Sequence, residues 1–268
     1  MSTSTATSSR AAKILKPTVT DMTLVSLIIP TLNEEHFATS LDRLLDYLLR
    51  TVANGRRLEI LVVDDSSPER QKEISACLAA HGGLAPAVQL QLIDGARRGK
   101  GNAIKLGARA SRGDIVFVID ADMPVPLEHI EQFVTIIERG EADAVIAERP
   151  MQRSLRQPIR LFLSRTLSFL QHAIIFQRRA FNDTQCGFKA FRGDLLRSLA
   201  ARQIIDGGMY DIEYLYVALL EGRKVERVSI VPCAEIRPSK IKIWKCIRTD
   251  LFALIQIKSR GLRGKYSQ

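Results

Sequence analysis

The sequence predicts an α/β protein with a mostly parallel central sheet and helices on both faces. Strand candidates recur at the spacing of βαβ units: Leu24–Ile29, Leu58–Val63, Val88–Ile93, Ile115–Ile119 and Ala142–Ile146. Stripes of helical period lie between them, with Leu41, Leu44, Leu45 and Leu48 on one helix. Leu127, Ile130, Phe133, Val134 and Ile137 mark another. Ile115–Ile119 is wholly β-branched or aromatic, the pattern of a strand buried on both faces by flanking helices. Alternating strands and helices of this kind build parallel sheets.

Each element follows in order. Residues 1–22 are rich in Ser, Thr and Ala, with three basic residues and no acid before Asp21. This composition predicts a disordered tail; an organelle transit segment is the alternative, and a secretory apolar core is lacking. From residue 23 the strand–helix alternation runs to about residue 148. Beyond about residue 150 the strand signal fades, helices dominate, and Val225–Val231 is the remaining strand candidate. There is no internal repeat.

Composition bounds the function. Of 268 residues, 46% are hydrophobic and 25% charged, ordinary for a soluble domain. No stretch approaches the ~18 continuous apolar residues of a membrane-spanning helix. The four cysteines (Cys77, Cys186, Cys233, Cys246) have no paired or metal-ligand spacing, which predicts free thiols and a cytoplasmic location. The net charge of +10 calls for an anionic partner. It is uneven: from Lys240 onward there are eight basic residues and one acid, Asp250. Arg149 to Arg179 contains seven arginines and no acid.

The chemistry sits at the strand ends. Leu27-Ile28-Ile29 runs into Pro30-Thr31-Leu32-Asn33-Glu34-Glu35, and Leu61-Val62-Val63 into Asp64-Asp65-Ser66-Ser67. Ile93 precedes Arg97-Arg98-Gly99-Lys100-Gly101-Asn102-Ala103, and Ile119 precedes Asp120-Ala121-Asp122. Any one could be a helix cap, with Asp65 or Ser66 capping the helix that follows. Four on successive parallel strands converge along one edge and build a cleft, where open α/β sheets bind ligands. Asp120 and Asp122 offer two hard oxygen donors suited to Mg²⁺ or Mn²⁺ holding a diphosphate. Gly95 to Lys100 lacks the spacing of a nucleotide-triphosphate loop, and no Gly-x-Gly-x-x-Gly follows the first strand. What remains is a tight turn presenting Lys100 as a point charge to a phosphate.

These motifs, in this order, resemble those of inverting family 2 glycosyltransferases. The later segment Asp183-Thr184-Gln185-Cys186-Gly187-Phe188-Lys189 is similar to the signature of dolichyl-phosphate β-glucosyltransferases. Tyr210 to Ala218 and Glu235 to Lys240 resemble further motifs of those enzymes, so that the likeness spans about Val25 to Ile257. It departs from the pattern at Ser66, where Gly is usual, at Met209, where an aromatic is usual, and at Arg237-Pro238, which replaces a shorter turn.

The resemblance implies a GT-A-type nucleotide-sugar-binding fold with a donor half (23–148), an acceptor half (149–239) and a basic amphipathic segment (240–268). It implies that Pro30, Thr31, Glu34, Asp65, Lys100, Asp120, Ala121 and Asp122 bind the donor, Asp120 and Asp122 through Mg²⁺ or Mn²⁺. Asp183 is the expected catalytic residue, placed beneath the sugar. Arg149, Arg160 and Lys240 are expected to bind an acceptor phosphate; Arg149, Arg153, Arg156 and Arg160 share one face if helical, although Pro150 and Pro158 interrupt that segment. The expected reaction moves glucose from UDP-glucose to a polyprenyl phosphate. Alternatives are a soluble acceptor or a GDP-mannose donor. Trp244, Ile247, Leu251, Leu254, Ile255 and Lys258 form a stripe with basic neighbours, suited to an anionic membrane surface or to packing on the domain. A nucleic-acid partner is not expected, because acidic residues line the cleft and no binding motif is present. Oligomeric state is not encoded in any of these patterns.

Overall fold

The computed structural model describes residues 22–52, 55–83, 88–123, 125–150, 171–176, 181–231 and 243–266. Seven strands form one sheet: β1 (Leu24–Thr31), β2 (Arg57–Asp64), β3 (Val88–Asp94), β4 (Ile115–Ile119), β5 (Ala144–Glu148), β6 (Phe188–Arg192) and β7 (Val225–Ser229). Their order is β3-β2-β1-β4-β6-β5-β7. The first four are mutually parallel, so the motifs that follow them emerge at one edge. β7 is parallel to β5, while β6 lies antiparallel between β4 and β5.

Two cores cover the two faces. Leu27 and Ile29, Ile60 and Val62, Phe117 and Ile119 point to one side; Ile28, Leu61, Val63, Val116 and Val118 point to the other. Helices α1 (Phe37–Tyr47), α2 (Pro68–Ala80) and α4 (His129–Glu138) bury their apolar stripes in the first core. The second is covered by α3 (Lys100–Ala110), α5 (Gly193–Arg202), α6 (Tyr210–Leu220) and α7 (Ile243–Leu262).

Four sequence expectations are corrected. A strand, β6, lies in the region where the strand signal fades. Its polar Lys189 obscures the pattern, yet that side chain is buried, with Nζ 2.6 Å from both Asp211 Oδ1 and the Cys186 carbonyl. β5 begins two residues later than expected, at Ala144, where the Lys224 carbonyl accepts from the amides of both Asp143 and Ala144. The cap of α2 is neither Asp65 nor Ser66 but Ser67, whose hydroxyl accepts from the Arg70 amide. Finally, α7 divides the expected stripe: Ala253, Leu254 and Ile257 are buried, while Ile255 faces outward with Phe252 and Leu262. Trp244 and Ile247 side chains lie outside the description. Among the described residues, no helix is long and apolar enough to cross a membrane.

Candidate active site

The cleft begins at the ends of β1 and β2. Thr31 donates its hydroxyl to Asp64 Oδ1 at 2.7 Å, and Ser66 donates to the same oxygen at 2.5 Å. Asp64 Oδ2 is buried without a partner among the described residues. Asn33 takes a left-handed backbone (φ 50°), with its amide donating to Ser66 Oγ and its side chain accepting from the Ser67 amide. Ser66, the departure from the family pattern, therefore ties β1 to β2. Pro30 and Glu34 are half-buried beside these loops.

Asp65 braces the glycine loop after β3. Its Oδ1 accepts from the Arg97 amide at 2.8 Å and its Oδ2 from the Gly99 amide at 3.3 Å. A Cβ on Gly95 would overlap the Asp65 carboxylate. Ala96 and Arg97 both have positive φ, 59° and 53°, a conformation that costs a non-glycine residue about 1–3 kcal/mol unless its surroundings impose it. The Asp65 hydrogen bond and the Arg97 side-chain bond to the Ser66 carbonyl supply that constraint.

The turn delivers Lys100 to the end of β4. Lys100 Nζ lies 2.5 Å from Asp120 Oδ1, with both side chains about one-third exposed. Burial opposes the ammonium charge, but Asp120, Asp211 and Asp122 outweigh it and hold its pKa above the ordinary lysine value. Ala121 is buried, Asp122 is exposed, and Met123 closes the turn with φ 44°. Asp120 and Asp122 are the metal candidates. Among the described residues no cluster of three or more acidic, His or Cys side chains is gathered. Two carboxylates nevertheless fit Mg²⁺ or Mn²⁺ when substrate phosphates and water complete the shell.

β6 brings the acceptor-side signature alongside. Because β6 is antiparallel to β4, Phe188 pairs with Ile119, and the residues before Phe188 meet Asp120. The Asp120 amide donates to the Gly187 carbonyl at 2.9 Å. Asp183 accepts from Arg149 Nε at 2.6 Å, and Glu148 clamps Asn182 through both its oxygens. Burial works against the Arg149 charge, while Asp183 and, more weakly, Asp120 hold its pKa up. Burial also pushes the Cys186 thiol up to about 11, so it is neutral at physiological pH.

The structure thus gathers Thr31, Asp65, Lys100, Asp120, Asp122, Arg149 and Asp183 along one edge. Arg160 and Lys240, like Arg153 and Arg156, lie outside the described residues. Sequence reasoning passed over Asp64 as a hydrogen-bonding hub, although its place beside Asp65 after a buried strand was a visible signal. It also passed over the Lys189–Asp211 pair, for which the sequence carries no spacing signal.

Residues 26–199 match the family model for glycosyl transferase family 2. The chain belongs to that family. A dolichyl-phosphate beta-glucosyltransferase of Trichomonas vaginalis is 30% identical over 254 residues, covering 90% of this chain and 76% of that protein. Another, from Drosophila melanogaster, is 27% identical, covering 86% and 74%. The fold matches glucosyl-3-phosphoglycerate synthase of Mycobacterium tuberculosis, with a TM-score of 0.63 at 18% identity, covering 90% of this chain and 82% of the other. A further structure of that synthase, in complex with Mn²⁺ and UDP-glucose, gives 0.61 at 17% identity, covering 88% and 79%. The GT-A-type architecture expected from the sequence is therefore the one observed.

Proposed function

We propose that this glycosyltransferase moves glucose from UDP-glucose to a polyprenyl phosphate, with inversion, at the cytoplasmic face of a membrane. The observation that carries the proposal is the juxtaposition of two cation–carboxylate pairs, Lys100–Asp120 and Arg149–Asp183, across the end of β4. One cation is suited to the donor diphosphate and the other to an acceptor phosphate. The dolichyl-phosphate glucosyltransferases among the relatives favour glucose and a lipid phosphate.

The acceptor phosphate oxygen attacks the anomeric carbon as its bond to the diphosphate oxygen breaks, and the leaving diphosphate takes the electron pair. A phosphate with a second pKa near ~6 is already ionised, so no proton needs to be removed. Asp183 then orients the acceptor through Arg149 and faces the positive charge that develops on the sugar. Lys100 stabilises the departing diphosphate. Its pair with Asp120 is about one-third exposed and partly screened by solvent, so exchange of Asp120 for a diphosphate oxygen costs little. A divalent ion bound at Asp120 and Asp122 would supply charge neutralisation at the leaving group. Thr31, Glu34 and Asp65 would accept from base and ribose donors.

Phe252, Ile255 and Leu262 form an exposed apolar stripe on α7, with Arg263 and Lys265 exposed beyond it. Such a face suits an anionic bilayer. The test is nucleotide release from UDP-glucose and GDP-mannose with Mg²⁺ or Mn²⁺, with short polyprenyl phosphate or a soluble phosphate acceptor, and with anionic or neutral vesicles. UDP release dependent on polyprenyl phosphate, with salt-sensitive binding to anionic vesicles, is expected. Faster turnover of the soluble acceptor and no vesicle binding would refute the lipid-phosphate reading.

A further inference from the structure

Between α5 and α6 the chain passes against the start of α3 with backbone nearly touching backbone. A Cβ on Gly101 would lie 2.5 Å from the Ile205 carbonyl oxygen and 2.7 Å from that of Gly207. A Cβ on Gly99 would lie 2.9 Å from the Asp206 oxygen. The Asn102 amide donates to the Asp206 carbonyl at 3.1 Å, Arg98 pairs with the Asp206 carboxylate at 2.6 Å, and Gln203 donates its amide to the Gly101 carbonyl at 2.9 Å. This strap is thus molded to the glycines on either side of Lys100.

The strap is itself held from below. Glu213 on α6 is buried, and its carboxylate accepts from the Ile204 amide at 2.9 Å and the Ile205 amide at 3.0 Å. Its third bond comes from Tyr266, beyond α7, whose hydroxyl donates to Glu213 Oε1 at 2.7 Å. Tyr266 is buried, its carbonyl accepts from Arg202 of α5, and the Arg260 guanidinium lies 5.3 Å from its ring centroid. A carboxylate this deeply buried needs all of its donors, since each one lost leaves charge unsatisfied.

We infer that Glu213 and Tyr266 are positioning residues, which hold the 203–207 strap against α3 and thereby fix Lys100 at the diphosphate site. The role of Lys100 rests on the proposed transferase reading; the tether itself does not. The seating of α7 is consequently linked to the donor cleft: releasing Tyr266 loosens the strap, and a loosened strap no longer fixes the turn that carries Lys100. No contact between α7 and the donor is required.

The test uses the full chain with Tyr266→Phe, which keeps the ring and removes only the hydroxyl, and Glu213→Gln, which keeps the shape. Phe133→Leu, in the core on the other face of the sheet, serves as a control for general destabilisation. Amide exchange is followed by mass spectrometry in peptides spanning 99–103 and 203–208, and UDP–Mn²⁺ affinity by calorimetry. For Tyr266→Phe, exchange should rise at least threefold in both peptides and the UDP Kd should rise three- to tenfold. Phe133→Leu should leave both unchanged at a similar loss of Tm. Faster exchange at 203–208 with none at 99–103, or the same changes in Phe133→Leu, would overturn the inference. If wild-type protein binds no UDP, the UDP-glucose reading fails, and the exchange data alone decide the tether.

Discussion

Replacing Gly187 by Ala should separate function from stability. The added Cβ would overlap all three atoms of the Asp120 carboxylate. Ordinary van der Waals contact needs roughly 3.5 Å, so the carboxylate must swing away by about 1 Å or more. The displaced group is the far end of a partly exposed side chain, and its pair with Lys100 is worth ~1 kcal/mol or less. For a protein of this size that corresponds to roughly 2–4 °C in Tm. A misplacement of ~1 Å at the reacting groups costs about a hundredfold in rate. Gly187→Ala should therefore lose about two orders of magnitude in UDP release while unfolding within a few degrees of wild type. Gly83→Ala, where a Cβ meets nothing within 4 Å and which lies outside the strap, is the matched control. Turnover of Gly187→Ala within about threefold of wild type would refute the assignment of Asp120 to the donor site.

Two further outcomes concern the scaffold under the cleft. Lys189→Met strands the buried Asp211 carboxylate and should cost about 3–5 kcal/mol in urea denaturation, whereas Lys189→Met with Asp211→Leu should recover most of it; a single-variant loss below ~1 kcal/mol would contradict a buried pair. Burial raises the pKa of Glu59, but bonds from the Arg112 amide, Ser26 and the Arg112 guanidinium prevail and leave it below the ordinary 4.5. Its stabilising contribution is thus fully present above pH 4.5 and lost as pH falls through the lower folded value. Glu59→Gln should flatten the acid limb of the stability–pH curve, and an unchanged limb would show that other carboxylates set it.

The donor edge was legible because parallel strands announce themselves twice. Each of β1 to β4 ends in an apolar stretch (Leu27–Ile29, Ile60–Val63, Leu92–Ile93 and Ile115–Ile119), and each stretch is followed at once by residues that have no place in a core. Sheet order could remain unknown, since any arrangement of adjacent parallel strands brings those ends together. The acceptor side offered no such signal. β6 is five residues long and antiparallel, and its second residue is a buried lysine. Its hydrophobicity pattern says edge or loop, whereas its position is central. The charge that balances this lysine is the Asp211 carboxylate, which comes from α6, more than twenty residues away. A long-range ion pair leaves no local period in the sequence.

The same distinction explains the strained turns. Ala96 and Arg97 are not residues that favour positive φ, so nothing local marks the loop as left-handed. What imposes the conformation is Asp65, whose two oxygens hold the amides of Arg97 and Gly99 from a neighbouring strand. Asp65 therefore has a duty besides any contact with a nucleotide. An Asp65→Ala variant would disturb the Lys100 turn as well as the base-binding edge, and its effect on donor affinity would report both. Asp65→Asn is the sharper probe, because the amide oxygen can still accept one of the two backbone bonds. If the loop is the larger contribution, Asn should retain substantially more UDP affinity than Ala; if direct recognition by a charged carboxylate dominates, the two should lose affinity alike.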